Sequence, residues 1–126
     1  MAYESILVVD DSPTQMALIV APLRAQGYRV STARDGEEAL EKAQSEKPDL
    51  IVLDIIMPKP NGFQVCRKLK RQSDTKDIKI LFLSSKDQSS DKVWGMRQGA
   101  DAYLTKPFVD EELIDVVSSL TRRQQV

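Results

Sequence analysis

Residues 6–11 read Ile6-Leu7-Val8-Val9-Asp10-Asp11, ILVVDD. Four apolar residues in a row, three of them β-branched, describe a strand buried on both faces, the habit of central strands in parallel sheets. The run then ends in two adjacent carboxylates. Held a few ångströms apart, two such charges repel by about 1 kcal/mol in water and by about 4 kcal/mol in a partly buried site. A buried strand that ends this way needs something beside it to offset the repulsion.

Outward from this stretch, apolar runs alternate with amphipathic ones, and no linker, low-complexity tract or repeat interrupts the chain. Strands are predicted over residues 5–10, 28–33, 49–54, 78–84 and 101–105, with five helices between and after them. Met16, Ile19, Val20 and Leu23 make one helical stripe, and Leu113, Val116, Val117 and Leu120 make another. Ser12 followed by Pro13 supplies an N-cap and a first-turn proline, while Gly27 and Gly99 stand where the first and fourth helices should stop. Pro22 fits poorly. Inside the first helix it removes a hydrogen bond and should bend or shorten it, at a cost of about 3 kcal/mol. Strand and helix in alternation, joined by right-handed crossovers, give an α/β fold with a doubly wound, five-stranded parallel sheet and five helices. The flavodoxin-like strand order 2-1-3-4-5 suits it, and sites in such sheets form outside the carboxyl ends of the strands where the order reverses.

Composition narrows the function. With 126 residues, 41% of them hydrophobic, the chain fits one domain over 1–126, its tail at 122–126 expected to be mobile. Eighteen basic residues against 19 acidic give no footprint for nucleic acid and no polybasic membrane anchor. Its apolar runs are too short to span a bilayer, and MAYES lacks the features of a signal peptide, so a soluble, cytoplasmic protein is expected. Cys66 lies in an apolar stripe, FQVCRKL, and reads as core packing rather than a reactive thiol. The absence of histidine excludes Ser-His-Asp triads, Cys-His pairs and His-ligated zinc.

At the predicted strand ends stand Asp10 and Asp11, then Asp54, then Ser84 and Ser85, then Thr105-Lys106-Pro107. Distant parts of the chain thus bring three carboxylates, a hydroxyl and an ammonium to one rim. Singly, each has a bland reading: an aspartate before a helix caps it, a serine after a strand makes a turn, and a surface lysine is solvated. Their joint placement outweighs those readings.

VVDDS, LDIIMPKPNG, FLSS and AYLTKPF, in that order at those strand ends, resemble a response-regulator receiver domain of two-component signalling, of the free-standing chemotaxis type. A narrower resemblance, carried by SKDQSSDKVWGMRQGADAYLTKP, is to single-domain regulators of type IV pilus and twitching or phototaxis chemosensory systems. The resemblance implies that Asp54 accepts a phosphoryl group. It implies Mg²⁺ on Asp11, Asp54 and the backbone carbonyl of Ile56, with Asp10 acting through water. An all-oxygen pocket of this kind suits that hard cation, which would offset the carboxylate repulsion. Lys106 and Ser84 would contact phosphoryl oxygens, and the Lys106-Pro107 peptide bond would be cis. Ser84 and Tyr103 would form the switch, with Ser84 moving toward the phosphoryl group and the aromatic side chain turning inward. Gly62, in the loop after the third strand, would serve tight backbone geometry.

Because the chain has no histidine, the phosphohistidine donor that the resemblance implies would lie on another protein, a histidine kinase acting in trans. With no output module expected after the last helix, its output would be a downstream protein bound through the face of helix four, strand five and helix five, as a monomer or weak dimer. Such a protein is not an enzyme beyond its own phosphorylation and dephosphorylation. Ile56 and Lys86 flank the expected path of the hydrolytic water, so slow self-hydrolysis is expected, and Ser84 stands where threonine is commoner. Trp94 in the helix-four region reads as partly buried. Other readings are a phosphate sink for a shared kinase and a scaffold that binds without phosphorylation. A haloacid-dehalogenase-type phosphohydrolase would need an aspartate at Ile56, and a flavodoxin's phosphate would be repelled by Asp10 and Asp11.

Overall fold

The ILVV run becomes an inner strand of a five-stranded sheet. The computed structural model describes residues 4–121, so the predicted mobile tail lies outside the described residues. The elements run β1 (Ser5–Val9), α1 (Pro13–Ala25), β2 (Arg29–Ala33), α2 (Gly36–Glu46), β3 (Leu50–Leu53), α3 (Gly62–Arg71), β4 (Lys79–Ser84), α4 (Ser89–Arg97), β5 (Ala102–Thr105) and α5 (Asp110–Leu120). The strand order is β2-β1-β3-β4-β5, and every pairing is parallel. This is the doubly wound, flavodoxin-like arrangement expected from the sequence.

Side chains alternate across a strand, so each apolar run serves two cores. Ile6 and Val8 face Ile19 and Leu23 of α1 and Leu113 and Val117 of α5. Leu7 and Val9 face Ala39 and Ala43 of α2 and Val65, Cys66 and Leu69 of α3. Cys66 is buried with its thiol against the Gln98 carbonyl at 3.5 Å, and burial pushes its pKa up to about 12, which makes it the inert core residue expected.

The Ser12 hydroxyl accepts from the Gln15 N–H at 3.3 Å, and α1 and α4 end just before Gly27 and Gly99, whose φ values of 90° and 106° suit glycine. α1 continues through Pro22 to Ala25, so the proline does not end it there; the missing N–H falls in its last turn. Trp94 departs from expectation, being 46% exposed rather than partly buried. The cause is its neighbour. Gly95 is the buried residue of α4, where an added Cβ would lie 3.0 Å from the Phe82 ring and 3.3 Å from that of Tyr103. Successive helical residues point about 100° apart, so the contact made by Gly95 turns Trp94 outward.

Candidate functional site

Backbone hydrogen bonds carry the parallel ladder one residue past the strands and so place the site. The N–H of Asp10 donates to the Ala33 carbonyl at 3.2 Å, that of Asp54 to Val9 at 3.1 Å, and that of Lys106 to Ser84 at 2.9 Å. Each side chain is therefore anchored by the strand beside it. Asp10 and Asp54 are 1% and 7% exposed, whereas Asp11 is exposed. Carboxylate oxygens of the three lie within 4.8 Å of one another.

Part of the charge problem is answered within the chain. The Lys106 ammonium lies 2.7 Å from Asp10 Oδ2 and 3.4 Å from Asp54 Oδ2. The other oxygens are also held: Asp10 Oδ1 accepts from the Ser12 N–H at 2.9 Å, and Asp54 Oδ1 from the Ile56 N–H at 3.2 Å. Each buried carboxylate thus has one oxygen on backbone and one on the lysine. Asp11 makes no ion pair among the described residues, so its charge remains to be met. Three clustered carboxylates with one exposed and uncommitted fit a hard divalent cation of the Mg²⁺ kind, which binds through few carboxylates and keeps waters as its other ligands.

Close approach of the following loop keeps Asp54 in place. The Gly62 N–H donates to the Ile55 carbonyl at 3.1 Å, and a Cβ on Gly62 would fall 2.3 Å from the Asp54 carbonyl oxygen. Only glycine fits that contact. The Lys106-Pro107 peptide bond is cis, and so is Lys59-Pro60, which sequence reasoning did not anticipate.

Ser84 is 0% exposed, and its hydroxyl accepts from the Lys86 N–H at 3.4 Å. The Tyr103 hydroxyl donates to the Lys86 carbonyl at 2.6 Å. Ser84 and Tyr103 therefore hold the two backbone polar groups of one residue, a link that residue types alone do not reveal. The Tyr103 ring packs on Phe82, with centroids 6.0 Å apart. Burial first, then the negative charges of Asp91, Asp54 and Asp87, push its phenol up to about 12, so the hydroxyl stays a donor at neutral pH. The Lys86 ammonium lies 3.8 Å from Asp91 in the first turn of α4, which extends the connection to that helix.

A doubly wound parallel sheet with an acidic cluster, a lysine and a buried hydroxyl at its carboxyl edge defines a signalling module of the receiver class. The model of the response regulator receiver domain matches residues 6–118, and the chain belongs to that family. It is 44% identical to Protein PilH of Pseudomonas aeruginosa, over 91% of this chain and 95% of that protein. It is 47% identical to the alkaline phosphatase synthesis transcriptional regulatory protein PhoP of Bacillus subtilis over 98% of its own length, but spans only 50% of that relative. Among solved structures, the receiver domain of a sensor histidine kinase from Pseudomonas aeruginosa superimposes with a TM-score of 0.87 at 30% identity, covering 94% of this chain and 98% of that one. That structure has a magnesium ion coordinated in its active-site cleft. The chain is thus a response-regulator receiver domain, the module of two-component signalling. No helix among its described residues is long and apolar enough to cross a membrane.

Proposed function

We propose that Asp54 accepts a phosphoryl group from a phosphohistidine on a kinase in trans, and that the protein signals through a binding surface switched by this modification. The observation that carries the reading is the convergence of Lys106, Asp10 and Asp11 on the Asp54 carboxylate. In the transfer, the phosphorus–nitrogen bond of the donor breaks as an Asp54 oxygen bonds to phosphorus. Mg²⁺, held by Asp11, Asp54 and the Ile56 carbonyl with Asp10 through water, would neutralise charge on the phosphoryl oxygens. Lys106, freed from part of its hold on Asp54, meets a further oxygen, and the Ser84 hydroxyl donates to another. The protein catalyses nothing beyond its own phosphorylation and dephosphorylation, and Ile56 and Lys86 slow the latter by crowding the path of water.

Ser84 cannot turn toward a phosphoryl group and keep its bond to the Lys86 N–H unless the loop moves with it. That loop also holds Tyr103, so the modification and the β5 aromatic share one joint. A bound group shifts such an equilibrium only through contacts that differ between its two states. Tyr103→Ala should leave phosphorylation intact and weaken phosphorylation-dependent binding of the downstream protein at the face of α4, β5 and α5; Ser84→Ala should uncouple the two further. NMR shift mapping with beryllofluoride and Mg²⁺ tests the reading. Perturbation should reach residues 90–106; shifts confined to residues 10, 11 and 54 would favour a phosphate sink or scaffold.

The resemblance to pilus and phototaxis regulators and the similarity to Protein PilH support a place in motility signalling. Mg²⁺ at ten times its dissociation constant should stabilise the fold by about 1.4 kcal/mol, because only the native state assembles the ligands. Asp11→Ala should abolish that gain in thermal melts, and an equal gain in both proteins would rule out Asp11 as a ligand.

A further inference from the structure

The second half of α3 carries Arg67, Lys68, Lys70 and Arg71, and the cis turn before it carries Lys59. Lys70 is occupied: its ammonium reaches the Ile78 carbonyl at 2.7 Å and Asp101 at 3.6 Å. The other four cations line one groove of about 410 Å³, together with Pro60 and Gln64. Among the described residues none of the four meets a carboxylate, whereas Lys42, Lys47, Lys79 and Lys86 each do. In a chain of net charge -1 this is a local segregation of positive charge.

Two ordinary explanations fall short. Cations in the last turn of a helix offset its dipole, which accounts for Lys68 and Arg71 but not for Arg67, which lies before that turn, or for Lys59, which precedes the helix. A merely solvated face would leave Arg67 free, yet its Nε–H donates to Gln98 Oε1 at 2.7 Å, and the buried Gln98 amide in turn donates to the Trp94 carbonyl at 3.3 Å. One edge of the guanidinium is thereby fixed, and its remaining donors have no acceptor among the described residues. Gln64 spends its Oε1 on the Asn61 N–H at 2.8 Å, leaving its amide donors to the groove. The lining therefore offers donors and positive charge around an apolar proline.

We propose that this face of α3 docks an acidic segment of a partner protein. Carboxylate side chains match a lining of forked and single cations. Nucleic acid matches it less well, because no aromatic side chain lines the groove for base stacking and the chain as a whole is not basic. An octapeptide of alternating glutamate and aspartate serves as the probe in an NMR titration. Shifts should centre on residues 59–71 and Gln98, and should fade as salt rises from 0.05 to about 0.5 M, where the Debye length falls to roughly 4 Å. Lys68→Glu combined with Arg71→Glu, both on exposed side chains, should weaken binding at least tenfold without altering phosphorylation of Asp54. Peptide shifts outside 59–71, or unchanged affinity in the double variant, would overturn the proposal. So would tighter binding of an eight-nucleotide DNA strand to the same face, or self-association in sedimentation that the double variant abolishes.

Discussion

Asp54→Asn should yield no phosphate adduct when treated with Mg²⁺ and a small phosphodonor, under conditions in which the native protein gains one phosphate by intact mass. The amide is isosteric with the carboxylate, and its oxygen can still accept from the Ile56 N–H, so the loop should keep its course. Lys106 retains its 2.7 Å partner in Asp10. What is lost is the anionic nucleophile at the point where the lysine and acidic cluster converge. Ser84 is no substitute: its hydroxyl is buried, and no histidine exists in the chain to take its proton. An adduct on the variant would refute Asp54 as the acceptor.

Phe82→Ala should cost about 3–5 kcal/mol of stability, the range for removing a fully buried aromatic ring. Against a total of about 5–15 kcal/mol for a domain, that is a large share. Phe82 is 0% exposed on β4, its ring edge-on to Phe63 at 5.5 Å and tilted against Tyr103 at 6.0 Å. Gly95 closes on the same ring from α4, so the neighbours cannot collapse into the space without moving a helix. Urea denaturation should show a lower midpoint with an unchanged slope. A loss below about 1 kcal/mol would mean that this core repacks freely. Because Tyr103 loses the surface it packs on, the variant should also respond less to beryllofluoride in residues 90–106.

Much of the fold was legible because its signals are short-range. Continuous apolar runs such as ILVV and LIVL are buried on both faces, and all five predicted strands formed, each a residue or so shorter than expected. α4 was the poorest reading. Its apolar residues Val93, Trp94 and Met96 are exposed, while its buried contact is made by Gly95, which carries no hydrophobic signal. Close approach of backbone to a ring is invisible to a pattern based on side-chain polarity.

The sequence by itself determined the element order, the two-faced burial of the strands and the residue types delivered to the carboxyl edge, since these follow from local periodicity and strand ends. Only the tertiary structure decided which of these groups meet. Lys106 pairs with Asp10 across 96 positions and with Asp54 across 52, because the parallel sheet brings the ends of β1, β3 and β5 to one edge and the lysine reaches past β4, which lies between β3 and β5. Ser84 and Tyr103 likewise share Lys86 only because β4 and β5 are neighbours. Composition names the charges available, but their partners depend on distances of a few ångströms that the packed sheet alone sets.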